Sequence, residues 1–232
     1  MSSSHFDRIS REYDGSLPAH VVEHYLRKRT AFVVRHCPPG AALDVGCGTG
    51  ALAARLAGAG YETVGVDPSE GMLEVLRQRS PQVRAVRASA ESLPFPDDSF
   101  DVVLTVAVLH HIADRGGVRR TLAEMVRVAK PSGRVLVWDH NPRNPYWGNL
   151  MARVPQDTGE ERLIPEGELL EGLRAAGGEV LLSAQLGLVP DFVPRRLVGI
   201  AAAAERAVER TPLLRRLCAH NVILAAKRPP AR

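Results

Sequence analysis

Three glycines stand at alternate positions, Gly46, Gly48 and Gly50, directly after the apolar run 41–45. Glycine has no Cβ, so a strand that ends in this pattern brings bare backbone close to a ligand. A helical pattern follows, and the order strand, glycine loop, helix builds a nucleotide-type pocket at the carboxyl end of the strand. Asp44 lies two residues before the first glycine. A carboxylate there suits a ligand with an ammonium group and a sulfonium centre better than it suits a pyrophosphate.

A second acidic residue, Asp67, ends the next apolar run, 21 residues after Gly46. A carboxylate at this place can accept hydrogen bonds from both hydroxyl groups of a ribose. Nicotinamide and flavin enzymes use the same arrangement of glycines and acid, so this pair alone leaves the cofactor open. The segment 89–103, which reads SAESLPFPDDSFDVV, is more distinctive.

The hydrophobic pattern predicts the elements that position these residues. Short apolar runs alternate with stretches of helical period, which indicates a parallel sheet built from strand–helix units. Residues 130–133 (KPSG) read as a turn, and residues 1–232 read as a single domain. We expect strands at 41–46, 61–66, 83–87, 101–107, 134–139, 179–186 and 221–226, and helices at 17–36, 50–59, 69–79, 117–129, 166–176 and within 191–218.

Composition narrows the classes of function. A hydrophobic content of 45% with 24% charged residues is typical of a soluble globular protein, and an aromatic content of 5% argues against a surface that stacks many bases. The three cysteines form no CxxC pair, so we expect a cytoplasmic protein without disulfides or a zinc site. No run approaches the roughly 20 apolar residues of a membrane span. Residues 191–232 hold nine Lys or Arg and three acidic residues, which leaves weak association with a membrane surface open.

The chain resembles the class I S-adenosylmethionine-dependent methyltransferases, in the branch related to quinone-biosynthesis enzymes with a type 11 domain. The resemblance implies an α/β Rossmann-like fold: a seven-stranded sheet in the order 3-2-1-4-5-7-6 with the last strand antiparallel, helices on both faces and a helical lid. Residues 1–36 would supply N-terminal lid helices. The matching residues are DVGCGTG at 44–50, Asp67, LPFPDDSFDVV at 93–103, LHH at 109–111 and EMVRVAKPSG at 124–133.

The cofactor that this resemblance implies is S-adenosyl-L-methionine. The glycine loop would wrap its methionine part, and Asp67 would hold its ribose. Backbone near Ala107 would meet the amino group, and the turn at 89–91 would edge the adenine. Ser89 departs from the family, because relatives usually carry Asp there; serine can still bond the adenine amino group but lacks the charge. The expected cofactor contacts are Asp44, Gly46, Cys47, Gly48, Gly50, Asp67, Pro68, Met72, Ser89, Ala90, Glu91 and Ala107.

The catalytic group is less well defined by the sequence. Methyl transfer from a sulfonium is an in-line displacement, and a general base is needed only where the acceptor is not already nucleophilic. His140 ends the fifth strand, and its unperturbed pKa near 6.5 suits proton removal at neutral pH; Asp139 could orient it. The alternative for His140 is a structural hydrogen bond to the following loop. His111 and Tyr13 are further candidates; for His110 and His111 the choice is between a substrate contact and a packing or lid-anchoring role. We expect no metal ion.

The acceptor depends on two segments, 141–165 and 191–218, which we predict to be substrate lids. Alanine, leucine and Phe192 in the second segment suggest a small, partly hydrophobic acceptor: a secondary metabolite, a quinone or a lipid-like molecule. Four arginines could meet a phosphate or carboxylate on it. They are Arg195, Arg196, Arg215 and Arg216. The subunit state is expected to be monomer or homodimer.

Three other classes compete with this interpretation. A nicotinamide-dependent oxidoreductase would need a Tyr-x-x-x-Lys or similar dyad, which the chain lacks. Enzymes that methylate base amino groups often carry an Asn/Asp-Pro-Pro-aromatic motif after strand four, where this chain has VAVL at 106–109, so no nucleic-acid partner is expected. A cyclase-like protein that binds the cofactor without net methyl transfer stays open, and product analysis would separate it.

Overall fold

The computed structural model describes residues 3–112 and 114–229, so the predicted lid 1–36 is described from Ser3 onward. Seven strands form one sheet: β1 Ala41–Val45, β2 Glu62–Asp67, β3 Arg84–Arg87, β4 Phe100–Val106, β5 Ala129–His140, β6 Gly178–Leu186 and β7 His220–Lys227. Their order is β3-β2-β1-β4-β5-β7-β6. β7 pairs antiparallel with β5 and β6, and the other neighbours are parallel. The predicted sheet order and strand directions are confirmed.

Eight α-helices connect and flank the strands in the described residues. They are α1 Ser3–Ile9, α2 Ala19–His36, α3 Ala51–Gly58, α4 Glu70–Arg79, α5 Arg115–Val128, α6 Trp147–Met151, α7 Glu166–Ala175 and α8 Val198–Arg210. Short 3₁₀ turns lie at Tyr13–Gly15, Leu109–His111, Arg195–Leu197 and Leu214–Leu217. Helix α4 begins at a capping residue: the side chain of Ser69 accepts a hydrogen bond from the backbone N of Met72.

A layer of helices covers each face of the sheet. Leu43 and Val45 of β1 belong to the core on the side of α5 and α7, whereas Ala42 belongs to the core on the side of α2 and α3. Side chains alternate between the faces of a strand, so Asp44 points to the same side as Ala42. The register of β1 therefore directs Asp44 toward α2.

Two local predictions differ from the structure. The expected turn at 130–133 is part of β5, which begins at Ala129 and pairs with Phe100 across a register shift. Ser132 adopts φ 63° there, so the turn-forming residues make an irregular strand start instead of a break. The segment expected to be irregular after residue 141 contains the short helix α6.

None of the helices in the described part of the chain combines the length and the apolar character that a membrane crossing requires.

Candidate active site

The glycine loop has the backbone that its sequence predicts. Gly46, Gly48 and Gly50 all have positive φ, at 74°, 54° and 79°. The backbone N of Gly46 donates to the carbonyl of Val66 at 2.7 Å, which holds the loop against β2. A Cβ on Gly46 would lie 2.4 Å from a methyl group of Val108, whereas a Cβ on Gly48 would meet nothing within 4 Å. The bare backbone of Gly48 therefore borders open space that a ligand can fill.

A cavity of about 440 Å³ lies beside this loop, at the carboxyl ends of β1, β2 and β4. This is the edge of an open parallel sheet where ligands bind. Nine of the predicted cofactor contacts line this cavity. They are Gly46, Gly48, Asp67, Pro68, Met72, Ser89, Ala90, Glu91 and Ala107. Asp44 and Cys47 line a second, larger cavity, and Gly50 lines neither. A Cβ on Gly50 would strike Leu76, so that glycine serves packing at the start of α3.

Asp67 is held in one orientation by the backbone. One carboxylate oxygen accepts from the N of Gly48 and the other from the N of Ser69, both at 2.9 Å. Burial raises the pKa of Asp67, and these two N–H groups offset part of that rise. Each carboxylate oxygen keeps a second lone pair, so the side chain can still accept hydrogen bonds from ribose hydroxyls.

The N-terminal segment, predicted to be a lid, is bonded to the wall of the smaller cavity. Asp7 accepts hydrogen bonds from the hydroxyl of Ser69 at 2.6 Å and the backbone N of Gly71 at 2.9 Å, and these bonds lower its pKa. Thr49 of the glycine loop donates to Asp14 at 2.7 Å. Phe6 and Tyr13 of this segment lie in the cavity wall.

The larger cavity, of about 590 Å³, adjoins the smaller one. Five residues line both cavities: Tyr13, Gly46, Gly48, Ala107 and His111. Ala107 adopts φ 56°, which is unfavourable for a residue with a Cβ, and its N donates to the carbonyl of Trp138 at 2.8 Å. The wall is mostly apolar, with α2, the segment after β6 and the lid 141–165 as its main contributors. The two cavities thus meet at the carboxyl ends of β1 and β4.

Asp44 is an unpartnered carboxylate in the wall of the larger cavity. Its side chain is only 3% exposed and forms no hydrogen bond to any residue that the structure describes. Burial raises its pKa to about 7; the charge of Asp67 adds to this rise, and that of Arg29 opposes it. A cationic ligand beside Asp44 would restore its charged form.

Arg29 is a site residue that the sequence interpretation missed. Its guanidinium lines the larger cavity 5.6 Å from the ring centroid of Tyr25 and 5.9 Å from that of Trp138. Its Nε is buried without a hydrogen-bond partner, and no acidic side chain in residues 3–112 or 114–229 pairs with it. The signal was a charged residue on the inward stripe of α2, three residues after Leu26 and four before Val33.

The four arginines expected to meet an anion on the acceptor are not in the cavity wall. Arg195, Arg196 and Arg216 are exposed, and Arg215 is half-buried without lining the cavity. The prediction that these four arginines contact the acceptor is therefore wrong, because the arginines of the segment 191–218 lie outside the cavity wall. Arg29 is the arginine in the wall.

Histidines form a stack at the floor of the larger cavity. The rings of His110 and His140 lie 3.9 Å apart between centroids, and His140 stacks on Trp147 at 3.6 Å. Asp139 accepts from Nδ1 of His110 at 2.7 Å, and from His140 it accepts only the backbone N. Asp139 therefore orients His110, and its predicted pairing with the His140 ring is wrong.

The surroundings shift the pKa values of the three histidines and of Tyr13 by different amounts and in different directions. Burial lowers the pKa of His140 well below 6.5, and the neighbouring His110 and His220 lower it further. Burial also acts to lower the pKa of His110, but the Asp139 carboxylate outweighs it and the net shift is upward from 6.5. Burial lowers the pKa of His111 to about 3 and raises that of Tyr13 to about 12. Of these four groups, His110 has the pKa closest to what proton removal at neutral pH needs.

Two overlapping groups of side chains in this region have ligand atoms within 4.8 Å of one another and could hold a metal ion, although the sequence predicts none. One is His110, His111 and Asp157, and the other is His110, Asp139 and His140. In the second group the short hydrogen bond between His110 and Asp139 already uses two of the ligand atoms.

The two predicted lids contribute unequally. In the segment 141–165, Trp147, Leu150 and Val154 line the larger cavity. The side chain of Asn141 donates to the carbonyls of Arg216 and Cys218, at 2.9 and 2.8 Å, and so ties this lid to the end of the next. From 191–218 only Asp191, Phe192 and Leu217 reach the wall, and α8 contributes nothing to it.

Comparison with known proteins identifies a domain of known type. Residues 43–137 match a family model described as a methyltransferase domain. An uncharacterized methyltransferase of Mycobacterium tuberculosis is 36% identical over 129 residues, which cover 53% of this chain and 51% of that protein. A demethylmenaquinone methyltransferase of Clavibacter sepedonicus is 38% identical over 140 residues, which cover 58% of this chain and 56% of that protein. The chain spans about half the length of the curated relatives it matches.

A solved structure extends the fold likeness to nearly the whole chain. It is an S-adenosylmethionine-dependent methyltransferase from Thermotoga maritima, described as a possible histamine N-methyltransferase. The two structures align with a TM-score of 0.71 at 24% identity, covering 97% of this chain and 99% of that one. The resemblance predicted from the sequence is confirmed, and with it the cofactor of the family, S-adenosyl-L-methionine.

Proposed function

We propose, on the premise that residues 43–137 belong to the methyltransferase domain family, that this chain transfers the methyl group of S-adenosylmethionine to a small, partly hydrophobic acceptor. The observation that carries the proposal is the junction of two cavities at Gly46, Gly48 and Ala107. In-line transfer requires the nucleophile, the methyl carbon and the sulfur on one axis. A cofactor in the smaller cavity and an acceptor in the larger one would meet at this junction.

The smaller cavity fits the cofactor on features of its own. The open space beside Gly48 admits a ligand against bare backbone, and Asp67 offers free lone pairs for ribose hydroxyls. Met72, only 1% exposed, would supply an apolar wall for the adenine. When bound, S-adenosylmethionine supplies an activated methyl group, and the protein's task is to bind, align and exclude water.

Asp44 and Arg29 would stabilise opposite charges near the junction. The unpartnered Asp44 carboxylate favours the ammonium and sulfonium charges of the cofactor. The unpaired guanidinium of Arg29 favours a carboxylate, which both the cofactor and an acidic acceptor could present. Both groups are poorly solvated without a ligand, so their charges are available for binding.

His110 is the group that we assign to proton removal, where the acceptor requires it. Its Nδ1 is bonded to Asp139, and its other nitrogen lies 3.9 Å from Asp157 on the cavity side. This Asp–His arrangement fixes the ring and leaves Nε2 to accept a proton. His140, His111 and Tyr13 remain candidates for orienting the acceptor, because all three line the larger cavity.

The acceptor class follows from the wall of the larger cavity. Apolar side chains from α2 and from the lid 141–165 make most of its surface, and the rings of His140 and Trp147 provide a flat face. This lining supports a compact, partly hydrophobic molecule with an aromatic ring. The name of the Clavibacter sepedonicus relative, a demethylmenaquinone methyltransferase, supports a quinone-type acceptor as the first to test.

The test is incubation of the purified chain with methyl-labelled S-adenosylmethionine and a panel of quinols, phenols and amines. Mass spectrometry should find one labelled product and an equal amount of S-adenosylhomocysteine. Conversion of an acceptor without S-adenosylhomocysteine would instead indicate the cyclase-like alternative. Titration in which the chain ignores the donor and its demethylated product but binds a dinucleotide would overturn the proposal.

A further inference from the structure

Helix α8 differs from an ordinary surface helix because it exposes apolar side chains and buries an acidic one. Ile200, Ala203 and Ala207 lie three to four residues apart, so they share one face, and all three are exposed. The opposite face carries Glu205, which is only 1% exposed. A surface helix normally buries its apolar face and exposes its charges. In α8 the apolar face is left without a partner from the described residues.

The two acidic residues on the inward face of α8 have partners on α2 and in the segment after β6. Glu205 pairs with Lys28 and His24 of α2 and accepts hydrogen bonds from the backbone N of Leu188 and Val189. The neighbouring Glu209 also pairs with Lys28 and accepts from the N of Gly187. The bonds to Glu205 hold its carboxylate in the charged form, and its pKa falls to about 2 despite burial. They fix the orientation of α8 and leave no acid of residues 192–217 on the outside.

The outside of this segment combines exposed apolar side chains with arginines. We call this surface the basic apolar face. Its apolar members are Phe192, Leu197, Ile200, Leu213, Leu214 and Leu217, six of the eight exposed large hydrophobic residues found in the described residues. Its basic members are Arg195, Arg196, Arg206, Arg210, Arg215 and Arg216.

The arginines of this face have no anionic partner within the chain. None of the six makes a side-chain hydrogen bond or ion pair with a residue in 3–112 or 114–229. Arginines elsewhere commonly do: Arg120 bonds Glu91, Arg127 bonds Glu124 and Arg162 bonds Glu168. The positive charge of the basic apolar face is therefore available to an external anion.

We propose that the basic apolar face binds the surface of an anionic phospholipid bilayer. Arginines that border exposed aliphatic and aromatic side chains match a layer of negative headgroups above hydrocarbon. A nucleic acid would match the charge but not six exposed apolar side chains. A second copy of this chain would set arginines against arginines across a two-fold axis. Of these three occupants, the bilayer is the one that complements both properties.

The face also lies at the mouth of the larger cavity. Phe192 and Leu217 line that cavity and are 69% and 51% exposed. Docking of this face would place the cavity rim at the headgroups, so a lipophilic acceptor could enter without crossing water. This consequence rests on the proposed function, but the docking itself does not.

The experiment measures binding of the chain of residues 1–232 to vesicles by flotation. One set contains phosphatidylcholine with 30 mol% phosphatidylglycerol, and the other contains phosphatidylcholine alone. We expect binding to the anionic vesicles that weakens as salt is raised, and little binding to the neutral ones. Absence of binding to anionic vesicles at low salt would overturn the proposal.

Variants separate this surface from general charge. Ile200→Ser with Leu213→Ser should reduce the partition coefficient at least about tenfold, and Arg210→Glu with Arg216→Glu should do the same. The matched controls are Val34→Ser, which changes an exposed apolar residue of α2, and Arg84→Glu with Arg174→Glu, exposed arginines outside the face. An equal loss in the controls would refute the assignment.

Two further measurements distinguish loss of vesicle binding from misfolding and from a change of subunit state. Calorimetric titration with S-adenosylhomocysteine should give the same affinity for all these variants, which shows that they fold and tests the proposed function separately. Sedimentation should find the same subunit state for the wild type and the face variants. A dimer that the face variants dissociate would show that a second copy covers this surface, and the bilayer proposal would fail.

Discussion

The two cavities of this protein are built in different ways. The smaller one is made largely by backbone and by residues that end adjacent strands, such as Gly48 after β1 and Asp67 at the end of β2. The larger one is made by side chains from segments far apart in the chain, from α2 to the start of β7. The carboxyl ends of neighbouring parallel strands lie at the same edge of a sheet, whatever the rest of the fold is. The lining of the smaller cavity is therefore visible in sequence motifs, and that of the larger cavity is not.

The difference also appears in the charges. Asp67 accepts from two backbone N–H donors, whereas in the wall of the larger cavity the Asp44 carboxylate and the Nε of Arg29 have no hydrogen-bond partner among the described residues. A buried charged group without a partner costs stability, and such groups concentrate where a ligand supplies the missing partner. The smaller cavity is thus organised before binding, while the larger one depends on its ligand.

The largest expected effect is on the smaller cavity. Gly48→Leu would fill the open space beside the loop, so S-adenosylhomocysteine binding should fall below detection in calorimetry. Gly60→Leu is the matched control, because Gly60 also has positive φ, at 94°, and open space where a Cβ would lie, yet it is outside both cavities. If both variants bind normally, the smaller cavity does not hold the cofactor.

On the acceptor side, His110→Gln should lower kcat by roughly 10²-fold or more for an acceptor that must lose a proton. Cofactor affinity should change little, because His110 lies outside the smaller cavity and its Nδ1 is already bonded to Asp139, whereas Asp44 is an unpartnered carboxylate. The pH profile distinguishes the histidines: a base at His110 puts the acid limb of kcat above pH 6.5, whereas His140 would put it below. An acid limb that persists in His110→Gln would exclude this assignment.

Asp67→Ala should weaken cofactor binding at least about tenfold, since a hydrogen bond to a charged group is worth roughly 1.5–3 kcal/mol. Glu62→Ala, at the exposed start of the same strand, is the control and should bind like the wild type. Full affinity of Asp67→Ala in calorimetry would remove Asp67 from the site.

The smallest effect tests the unpartnered carboxylate. The folded-state pKa of Asp44 is raised to about 7, so the stability linked to this group is present at low pH and declines as pH rises from the unfolded-state value toward 7. Asp44→Asn should therefore raise Tm more at pH 8 than at pH 4.5. The same variant should lose a few-fold in affinity for S-adenosylmethionine. A lower Tm at pH 8 would show that Asp44 stabilises the fold, contrary to its placement here.

Sequence and structure agree closely on local elements. The strand before the glycine loop, the acid at the end of β2 and the cap at Ser69 each depend on residues a few positions apart, and the pattern predicts them within a residue or two. The predicted start of β5 is wrong because Ser132 and Gly133 are ordinary turn formers, and only the pairing of the flanking Ala129 and Arg134 with β4 includes them in the strand.

The sequence by itself determined the alternation of strands and helices and the glycine loop, because those depend on periodicity and on glycines and acids at fixed spacing. The sheet order followed from the resemblance that these motifs carry, and the structure confirms it. Only the tertiary structure decided that Asp139 orients His110, that Arg29 lines the larger cavity and that α8 exposes its apolar side. A helical pattern shows that one side of α8 is apolar, but not whether that side faces the core. Glu205 of α8 accepts a hydrogen bond from Lys28 of α2, which lies 177 residues earlier in the sequence. This contact turns the Glu205 side of α8 toward the core and its apolar side outward.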